Sequence, residues 1–135
     1  MKPLNTVFLV EDELDIMQMY TTALKAADVD VVGLPSGKDA MAAVKSVQER
    51  TRPKPKLVLL DLVLPDINGL EILYSLREHE VTKDIPVFIL SNYNSDALRS
   101  MSAIRPDKYL VKVDTTPSRL VELVTEQLKM AEFNK

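Results

Sequence analysis

Hydrophobic and polar positions follow two different rhythms along the chain. Five short apolar runs, rich in β-branched residues, have the composition of strands, and each is followed by a stretch in which apolar residues recur at helical spacing. The predicted strands span residues 7–10, 29–34, 57–60, 86–90 and 109–111. The first, third and fourth runs are apolar at every position, which is typical of parallel strands covered on both faces.

Five helical segments are predicted from the apolar stripes between and after these runs. The stripe residues are, in chain order, Ile16, Met19, Tyr20, Ala23 and Leu24; Ala40, Ala43, Val44 and Val47; Gly69, Ile72, Leu73 and Leu76; Ala97, Leu98, Met101 and Ile104; and Leu120, Val121, Val124, Leu128 and Ala131. Met17 and Met41 lie beside two stripes and are interpreted as residues that fill gaps in the core. Ser36, Asn68 and Thr116 are predicted to cap the starts of three helices.

The alternation of strand and helix predicts the order (βα)5. Each connection between parallel strands crosses over in the right-handed sense and returns to the same sheet, which places helices on both faces. The predicted fold is therefore an α/β three-layer sandwich with a doubly wound, five-stranded parallel sheet, the flavodoxin-like arrangement.

Length and composition are those of one domain. The chain has 135 residues, of which 46% are hydrophobic, enough to form a sizeable core. No Gly/Ser linker or low-complexity tract divides it. We expect a single domain over residues 1–135, with its core at about 6–131.

Charge and cysteine content exclude several classes of function. Lys and Arg total 17, Asp and Glu total 20, and the formal net charge of −3 argues against direct binding of nucleic acid. Cysteine is absent, which excludes disulfides and thiolate chemistry. The longest uncharged stretch, residues 85–95, is about half of a membrane span, and the apolar run at 6–10 is too short for a signal peptide. We therefore expect a cytoplasmic protein that does not contact the membrane.

Polar residues follow four of the five predicted strands. Glu11 and Asp12 come after the first strand, Asp61 after the third, Ser91 and Asn92 after the fourth, and Lys112 after the fifth. Ligands of open parallel sheets bind at the carboxyl ends of the strands, so these residues are expected to meet at one edge.

The three acids of this group predict a metal site. Carboxylates crowded at one edge repel one another unless a cation neutralises them, and an all-oxygen ligand set suits Mg²⁺, or Mn²⁺ in its place. The alternative is that Glu11 and Asp12 only cap the first helix, since acids are favoured in a first turn. Asp61 and Lys112 at matching strand ends favour the metal site.

Asp61 is the residue we expect to react. A carboxylate beside a metal and a lysine can attack phosphorus, because both cations screen the phosphoryl oxygens, and the product is an aspartyl phosphate. Lys112 would supply a positive charge, Ser91 a hydroxyl donor and Asn92 a backbone N–H. Asp61 is expected to be exposed beside the cation. Taken singly, Ser91 is better explained as a turn residue and Lys112 as a solvated charge.

Four motifs in this order, VFLVED, LVLLDLVLPDINGLEIL, PVFILS and KYLVK, resemble the response-regulator receiver domain of bacterial two-component signalling. The resemblance extends from Thr6 to about Met130. It implies that Asp61 takes a phosphoryl group from a sensor histidine kinase or a phosphotransfer protein, with Mg²⁺ as cofactor. It also implies that a downstream protein binds the face made by the fourth helix, fifth strand and fifth helix. On that face would lie Arg99, Ser102, Lys108, Arg119 and Glu122, which could otherwise belong to an ordinary solvated surface.

The resemblance also implies roles for individual residues. Asp12 and Asp61 would bind the metal directly, Glu11 would hold it mainly through water, and the backbone carbonyl of Val63 would be a further ligand. Lys112 would bridge to the phosphoryl group. Ser91 would be the switch hydroxyl, and Tyr109 the aromatic residue that turns inward when Ser91 moves. Without the resemblance, Tyr109 is better interpreted as half-buried packing.

Four positions depart from the family pattern. Val113 replaces the proline that usually follows the lysine. Since a cis bond before a non-proline residue costs roughly 3 kcal/mol, this replacement favours a trans peptide in the local loop. Asn92 replaces a small residue, Val63 replaces a polar one, and Tyr93 is bulky for its position. We expect these changes to affect access to Asp61 and the lifetime of its phosphoryl group.

Other function classes are less well supported. Val113 and Asn92 leave open a receiver-like interaction module that works without phosphorylation. A phosphohydrolase with an aspartate nucleophile would have an acid where this chain has Val63. The chain's three glycines cannot form either of the common phosphate-binding loops of nucleotide-binding proteins.

Overall fold

The computed structural model describes residues 5–92 and 105–133. Its elements are β1 (Thr6–Val10), α1 (Leu14–Ala26), β2 (Asp30–Leu34), α2 (Gly37–Gln48), β3 (Leu57–Asp61), α3 (Gly69–Arg77), β4 (Val87–Ser91), β5 (Lys108–Val111) and α4 (Pro117–Phe133). The fourth predicted helix, with Ala97, Leu98, Met101 and Ile104, lies outside the described residues. The fifth predicted helix is therefore labelled α4 here.

All five strands belong to one parallel sheet with the order β2-β1-β3-β4-β5. The predicted doubly wound sheet is thus confirmed. Strand β2 pairs with one edge of β1, and β3 pairs with the other edge. Strands β4 and β5 then follow outward from β3. The strand order reverses between β1 and β3, and the crevice at their carboxyl ends is where ligands of such sheets bind.

Two apolar clusters cover the two faces of the sheet. Along β1 the side chains alternate, so that Phe8 and Val10 join one cluster while Val7 and Leu9 join the other. Helices α2 and α3 pack on the first face, and α1 and α4 pack on the second. Within the described ranges, no helix has both the length and the apolar content to cross a membrane.

Where the structure describes the side chains, the predicted faces of α1, α2, α3 and α4 are confirmed except at one position of α1. Met19 is 44% exposed, whereas Met17 packs against the cluster with Tyr20 and Leu24. The prediction that Met19 is buried is therefore wrong. Residues 17, 20 and 24 lie within a narrow stripe of the helix, and position 19 falls about 100° away from Tyr20, outside that stripe.

The three predicted helix caps are confirmed. Ser36 Oγ accepts a hydrogen bond of 3.0 Å from the backbone N–H of Asp39. Asn68 Oδ1 accepts one of 2.9 Å from Leu70, and Thr116 Oγ1 accepts one of 3.1 Å from Arg119. These bonds satisfy amide groups that have no partner inside the helix and so fix where α2, α3 and α4 begin.

Candidate functional site at the carboxyl edge of the sheet

Strand register brings the predicted site residues together. β1 and β3 pair up to Val10 and Leu60, so Glu11 leaves β1 at the level of Asp61. β4 and β5 pair up to their last residues, which places Ser91 one position from Lys112. Groups that are distant in sequence therefore meet at one edge, as expected.

The ammonium group of Lys112 lies between two carboxylates. Its Nζ donates a hydrogen bond of 3.0 Å to Asp61 Oδ2 and lies 2.5 Å from Glu11 Oε1. The side chains of Lys112, Asp61 and Glu11 are only 5%, 4% and 1% exposed. The interpretation of Lys112 as a solvated surface charge is therefore wrong.

Asp61 is buried, and the expectation that it is exposed is wrong. It is the last residue of β3, a strand that is buried over its whole length. Polar groups rather than hydrocarbon meet its carboxylate, because Lys112 bonds Oδ2 and the backbone N–H of Val63 donates a 3.0 Å hydrogen bond to Oδ1. The carboxylate is thus enclosed but fully hydrogen-bonded.

The two carboxylate oxygens of Glu11 have different partners, a backbone N–H and the ammonium group of Lys112. Its Oε2 accepts a 3.1 Å hydrogen bond from the N–H of Glu13. Its Oε1 is in ionic contact with Lys112 but accepts no hydrogen bond from the part of the chain that the structure describes. The side chain of Glu13, the residue before α1, makes no capping hydrogen bond. Helix capping alone does not account for Glu11, because its carboxylate is also in ionic contact with Lys112.

Burial and neighbouring charges have opposite effects on the pKa values of Glu11 and Lys112. Burial raises the pKa of Glu11 by more than the ionic contact with Lys112 and the hydrogen bond from the Glu13 N–H lower it. Burial alone would lower the pKa of Lys112, but the hydrogen bond to Asp61, the ionic contact with Glu11 and the negative charges of both acids together raise it above its usual value. Lys112 is therefore firmly protonated at neutral pH.

Three acids at this edge have the chemistry of a cation site. Glu11, Asp12 and Asp61 each place a carboxylate oxygen within 4.8 Å of the other two. Three carboxylates face one ammonium, which leaves a negative excess that a divalent ion would neutralise. Because all the donors are oxygens, and Glu11 Oε1 still lacks a hydrogen bond, the residues present fit Mg²⁺ or Mn²⁺.

The loop after Asp61 is tied closely to α3. Val63 forms an isolated antiparallel bridge with Asn68, and the N–H of Gly69 donates a 2.9 Å hydrogen bond to the Leu62 carbonyl. A Cβ atom on Gly69 would lie 2.6 Å from both the carbonyl oxygen of Asp61 and Cα of Leu62. Glycine is required here because α3 begins directly against the backbone that carries Asp61.

The remaining predicted site residues occupy different environments. Ser91 is buried at the end of β4, and Asn92 after it is exposed. Tyr109 is partly buried and packs against the cluster under α2 and α3, while Val63 is exposed. The Lys112–Val113 peptide is trans, and the Val113 side chain is 81% exposed. Tyr93, Arg99 and Ser102 lie outside the described residues.

The structure shows long-range hydrogen bonds of two residues that sequence reasoning did not assign to the site, Tyr20 and Asp66. Tyr20, predicted only as core, donates a 2.9 Å hydrogen bond to the carbonyl of Thr115 in the loop after Lys112. A hydroxyl in an otherwise apolar stripe was the available signal. Asp66 accepts hydrogen bonds from the first amides of α2, and no local signal indicates this contact because its partners lie 28 and 29 positions away.

Comparison with known proteins identifies the family. A family model described as the response regulator receiver domain matches residues 7–125. The chain belongs to this family. It is thus a receiver domain of two-component signalling, and receiver domains are not conventional enzymes.

Individual relatives show the same receiver fold. Response regulator Rcp1 of Synechocystis is 32% identical over 114 residues, covering 82% of this chain and 78% of Rcp1. The Mn²⁺-bound structure of Rcp1 superposes with a TM-score of 0.73, at 27% identity, over 89% of this chain and 88% of that one. The phosphorylated cyanobacterial phytochrome response regulator RcpA gives a TM-score of 0.74 at 29% identity, over 90% of this chain and 89% of that one.

Other relatives are considerably longer than this receiver domain. The match to NarL of Escherichia coli is 34% identical over 123 residues, 87% of this chain but 51% of NarL. The match to LuxO of Vibrio cholerae is 31% identical over 87 residues, 64% of this chain but 17% of LuxO.

Proposed function

We propose that this receiver domain takes a phosphoryl group onto Asp61 from a sensor histidine kinase or a phosphotransfer protein. The observation that carries the proposal is the buried contact between Asp61 and Lys112 beside the cluster of Glu11, Asp12 and Asp61. A carboxylate nucleophile next to a fixed cation is suited to phosphoryl transfer, because charge spreads over the phosphoryl oxygens as the reaction proceeds.

The transfer exchanges one bond to phosphorus for another. An oxygen of Asp61 bonds to phosphorus as the bond from phosphorus to the donor's imidazole nitrogen breaks, and that nitrogen keeps the electron pair and takes up a proton. Lys112 moves its hydrogen bond from Asp61 to a phosphoryl oxygen. The hydroxyl of Ser91 and the backbone N–H of Asn92 donate to the same group.

Mg²⁺ or Mn²⁺ is the proposed cofactor. Asp12 and Asp61 would bind it directly, Glu11 mainly through water, and the carbonyl of Val63 would complete the protein ligands. When bound, the ion neutralises charge on the phosphoryl oxygens. The all-oxygen donor set and the Mn²⁺-bound structure of the relative Rcp1 support this assignment.

Signal output is proposed to involve Ser91, Tyr109 and the surface beside β5. Ser91 would follow the phosphoryl group, and Tyr109 would then turn inward. Next to Tyr109, a cavity of about 390 Å³ opens between β5 and the start of α4, lined in part by Lys108, Asp114 and Arg119. A downstream protein would bind this face, which would include the helix predicted near residues 97–104.

We further propose that residues 1–135 form one cytoplasmic receiver domain with its core at about 6–131. Its partners are proteins rather than nucleic acid or membrane. The modest net charge of −3 supports the exclusion of nucleic acid.

A second candidate function is a receiver-like interaction module that works without phosphorylation. The burial of Asp61 favours it, because both carboxylate oxygens already have hydrogen-bond donors. The Asn92 side chain is exposed, and the Lys112–Val113 peptide is trans. The two candidates differ in whether Asp61 can be modified.

Incubation with Mg²⁺ and acetyl phosphate, followed by intact mass measurement, decides between them. We expect one phosphoryl group on the wild type and none on Asp61→Asn. Asp15→Asn removes an exposed carboxylate on α1 and serves as the matched control, which should be phosphorylated like the wild type. No gain on the wild type, or an equal gain on Asp61→Asn, would overturn the proposal.

A further inference from the structure

Lys112 opens a short 3-10 turn, Lys112–Asp114, that joins β5 to α4. Thr115 closes this turn with two hydrogen bonds. Its N–H donates to the Lys112 carbonyl at 3.1 Å, and its Oγ1 donates to the Val111 carbonyl at 2.7 Å. The position of Lys112 therefore depends on Thr115.

A hydrogen bond from Tyr20 connects this turn to helix α1. Its hydroxyl donates a 2.9 Å hydrogen bond to the carbonyl oxygen of Thr115, and both residues are buried. The ring packs among the apolar residues of α1, including Leu24, so it has little freedom to move. Helix α1 begins three residues after Glu11. The hydrogen bond from Tyr20 therefore joins the segment that follows Glu11 to the turn that begins at Lys112.

The residue after Lys112 adds little restraint of its own. The Val113 side chain is exposed to solvent, and it lacks the ring with which a proline at this position would fix the backbone φ angle. A turn held only by its internal bonds would allow the lysine to shift. The hydrogen bond from Tyr20 supplies an external anchor.

We propose that Tyr20 is a positioning residue for Lys112, because its hydroxyl fixes the Thr115 carbonyl and so keeps the ammonium group between Glu11 and Asp61. The electrostatics agree with this geometry. Burial raises the pKa of Tyr20, and the nearby charge of Lys112 only partly opposes the effect, so the hydroxyl remains a neutral donor. The part of the proposal that concerns reaction rate rests on the phosphoryl transfer proposed above.

Loss of the Tyr20 hydroxyl should loosen the turn without emptying the core. Tyr20→Phe retains the ring and removes one hydrogen bond. We expect the rate of Asp61 phosphorylation by acetyl phosphate with Mg²⁺ to fall about three- to tenfold, the factor that corresponds to one neutral hydrogen bond. We also expect the backbone amide of Thr115 to exchange its hydrogen faster by a similar factor without metal or phosphodonor.

Tyr74→Phe is the matched control. It makes the same chemical change on α3, where the Tyr74 hydroxyl has no hydrogen bond to any described residue. Phosphorylation rate and Thr115 exchange should both equal those of the wild type.

A double-mutant cycle separates positioning from general stabilisation. If Tyr20 acts through Lys112, Tyr20→Phe should not slow the residual phosphorylation of a Lys112→Met variant any further. An equal proportional loss in both backgrounds, an unchanged rate, or unchanged Thr115 exchange in Tyr20→Phe would overturn the proposal. If the wild type takes up no phosphoryl group, the proposed function fails, and Thr115 exchange still decides whether Tyr20 holds the turn.

Discussion

Lys112 Nζ and Asp61 Oδ2 form a buried, hydrogen-bonded ion pair of 3.0 Å between side chains that lie 51 positions apart in sequence. The same ammonium contacts Glu11. One cation therefore holds two acids in place before any phosphoryl group arrives. It must release Asp61 Oδ2 if it is to bind a phosphoryl oxygen, so the pair is both a structural contact and a barrier to access.

Lys112→Met should destabilise the metal-free protein. The change keeps most of the side chain but leaves Glu11 and Asp61 buried without their positive partner, a loss that costs about 3 kcal/mol in comparable sites. We expect the free energy of unfolding, measured by urea denaturation in EDTA, to fall by about this amount. Saturating Mg²⁺ should recover part of the loss, because a divalent ion would supply positive charge at the same edge.

Lys83→Met is the control for this experiment. Lys83 forms an exposed ion pair with Glu80, and such pairs contribute less than about 1 kcal/mol. Equal stability of Lys112→Met and wild type in EDTA would show that the buried ion pairs do not stabilise the fold.

Metal binding should stabilise the protein through Asp12. A ligand present at a hundredfold excess over its Kd raises the free energy of unfolding by about 2.7 kcal/mol. We expect a gain of that kind for the wild type when Mg²⁺ is added, and little or no gain for Asp12→Asn.

Without metal, Asp12→Asn should be at least as stable as the wild type, since one of three mutually repelling carboxylates is neutralised. Asp15→Asn, with its carboxylate outside the cluster, should retain the full Mg²⁺ effect. The assignment fails if Asp12→Asn retains the effect as well.

Gly69→Ala should disturb the segment that carries Asp61. The added Cβ would lie 2.6 Å from backbone atoms of Asp61 and Leu62, which cannot move independently of β3. We expect a loss of about 1–3 kcal/mol in the free energy of unfolding, the usual cost of overpacking.

Gly33→Ala provides the comparison for that variant. Its Cβ would meet Met17 Sδ at 2.7 Å, at the far end of a flexible side chain that can turn aside. Its cost should be clearly smaller. Urea denaturation of both variants tests the difference, and equal losses would contradict the close packing of α3 on Asp61.

Asp66 should make stability depend on acidic pH. The backbone N–H groups of Lys38 and Gly37 hold the pKa of this carboxyl below its usual value of 3.8. An acid with a lowered pKa in the folded state contributes stability above its unfolded pKa and loses it as the pH falls through the folded pKa. Asp66→Asn should therefore be less stable than wild type at neutral pH.

The difference between wild type and Asp66→Asn should shrink below pH 3.8 and vanish below the folded pKa. Urea denaturation over this pH range measures it. Asp84→Asn, which changes an exposed carboxylate that forms no hydrogen bond to the described residues, is the control. A difference that persists unchanged in acid would show that the Asp66 charge does not stabilise the start of α2.

Much of the fold follows from the sequence because its apolar spacings are local and repeated. Runs such as LVLL predict strands buried on both faces, and polar residues directly after those runs predict the site, since parallel strands end at a common edge. Burial of Asp61 could not be predicted in this way. It depends on Lys112 reaching over the edge and on α3 beginning directly against the end of β3 at Gly69.

The contacts of Tyr20 and Asp66 also required the structure. Tyr20 has the spacing of a core residue, and that prediction is confirmed, but the partner of its hydroxyl is 95 positions away. Asp66 follows a proline in a loop and binds amides of a helix that precedes it by almost thirty residues. Contacts of this kind arise from packing between elements rather than from local propensity.

Locating the phosphoryl group tests the central claim most directly. The wild-type protein would be treated with Mg²⁺ and acetyl phosphate, reduced with borohydride, which converts an aspartyl phosphate to homoserine, and sequenced by tandem mass spectrometry. We expect homoserine in place of Asp61 and intact aspartate at Asp12 and Asp66. Homoserine at another position, or none at any position, would contradict the assignment of Asp61 as the phosphoryl acceptor.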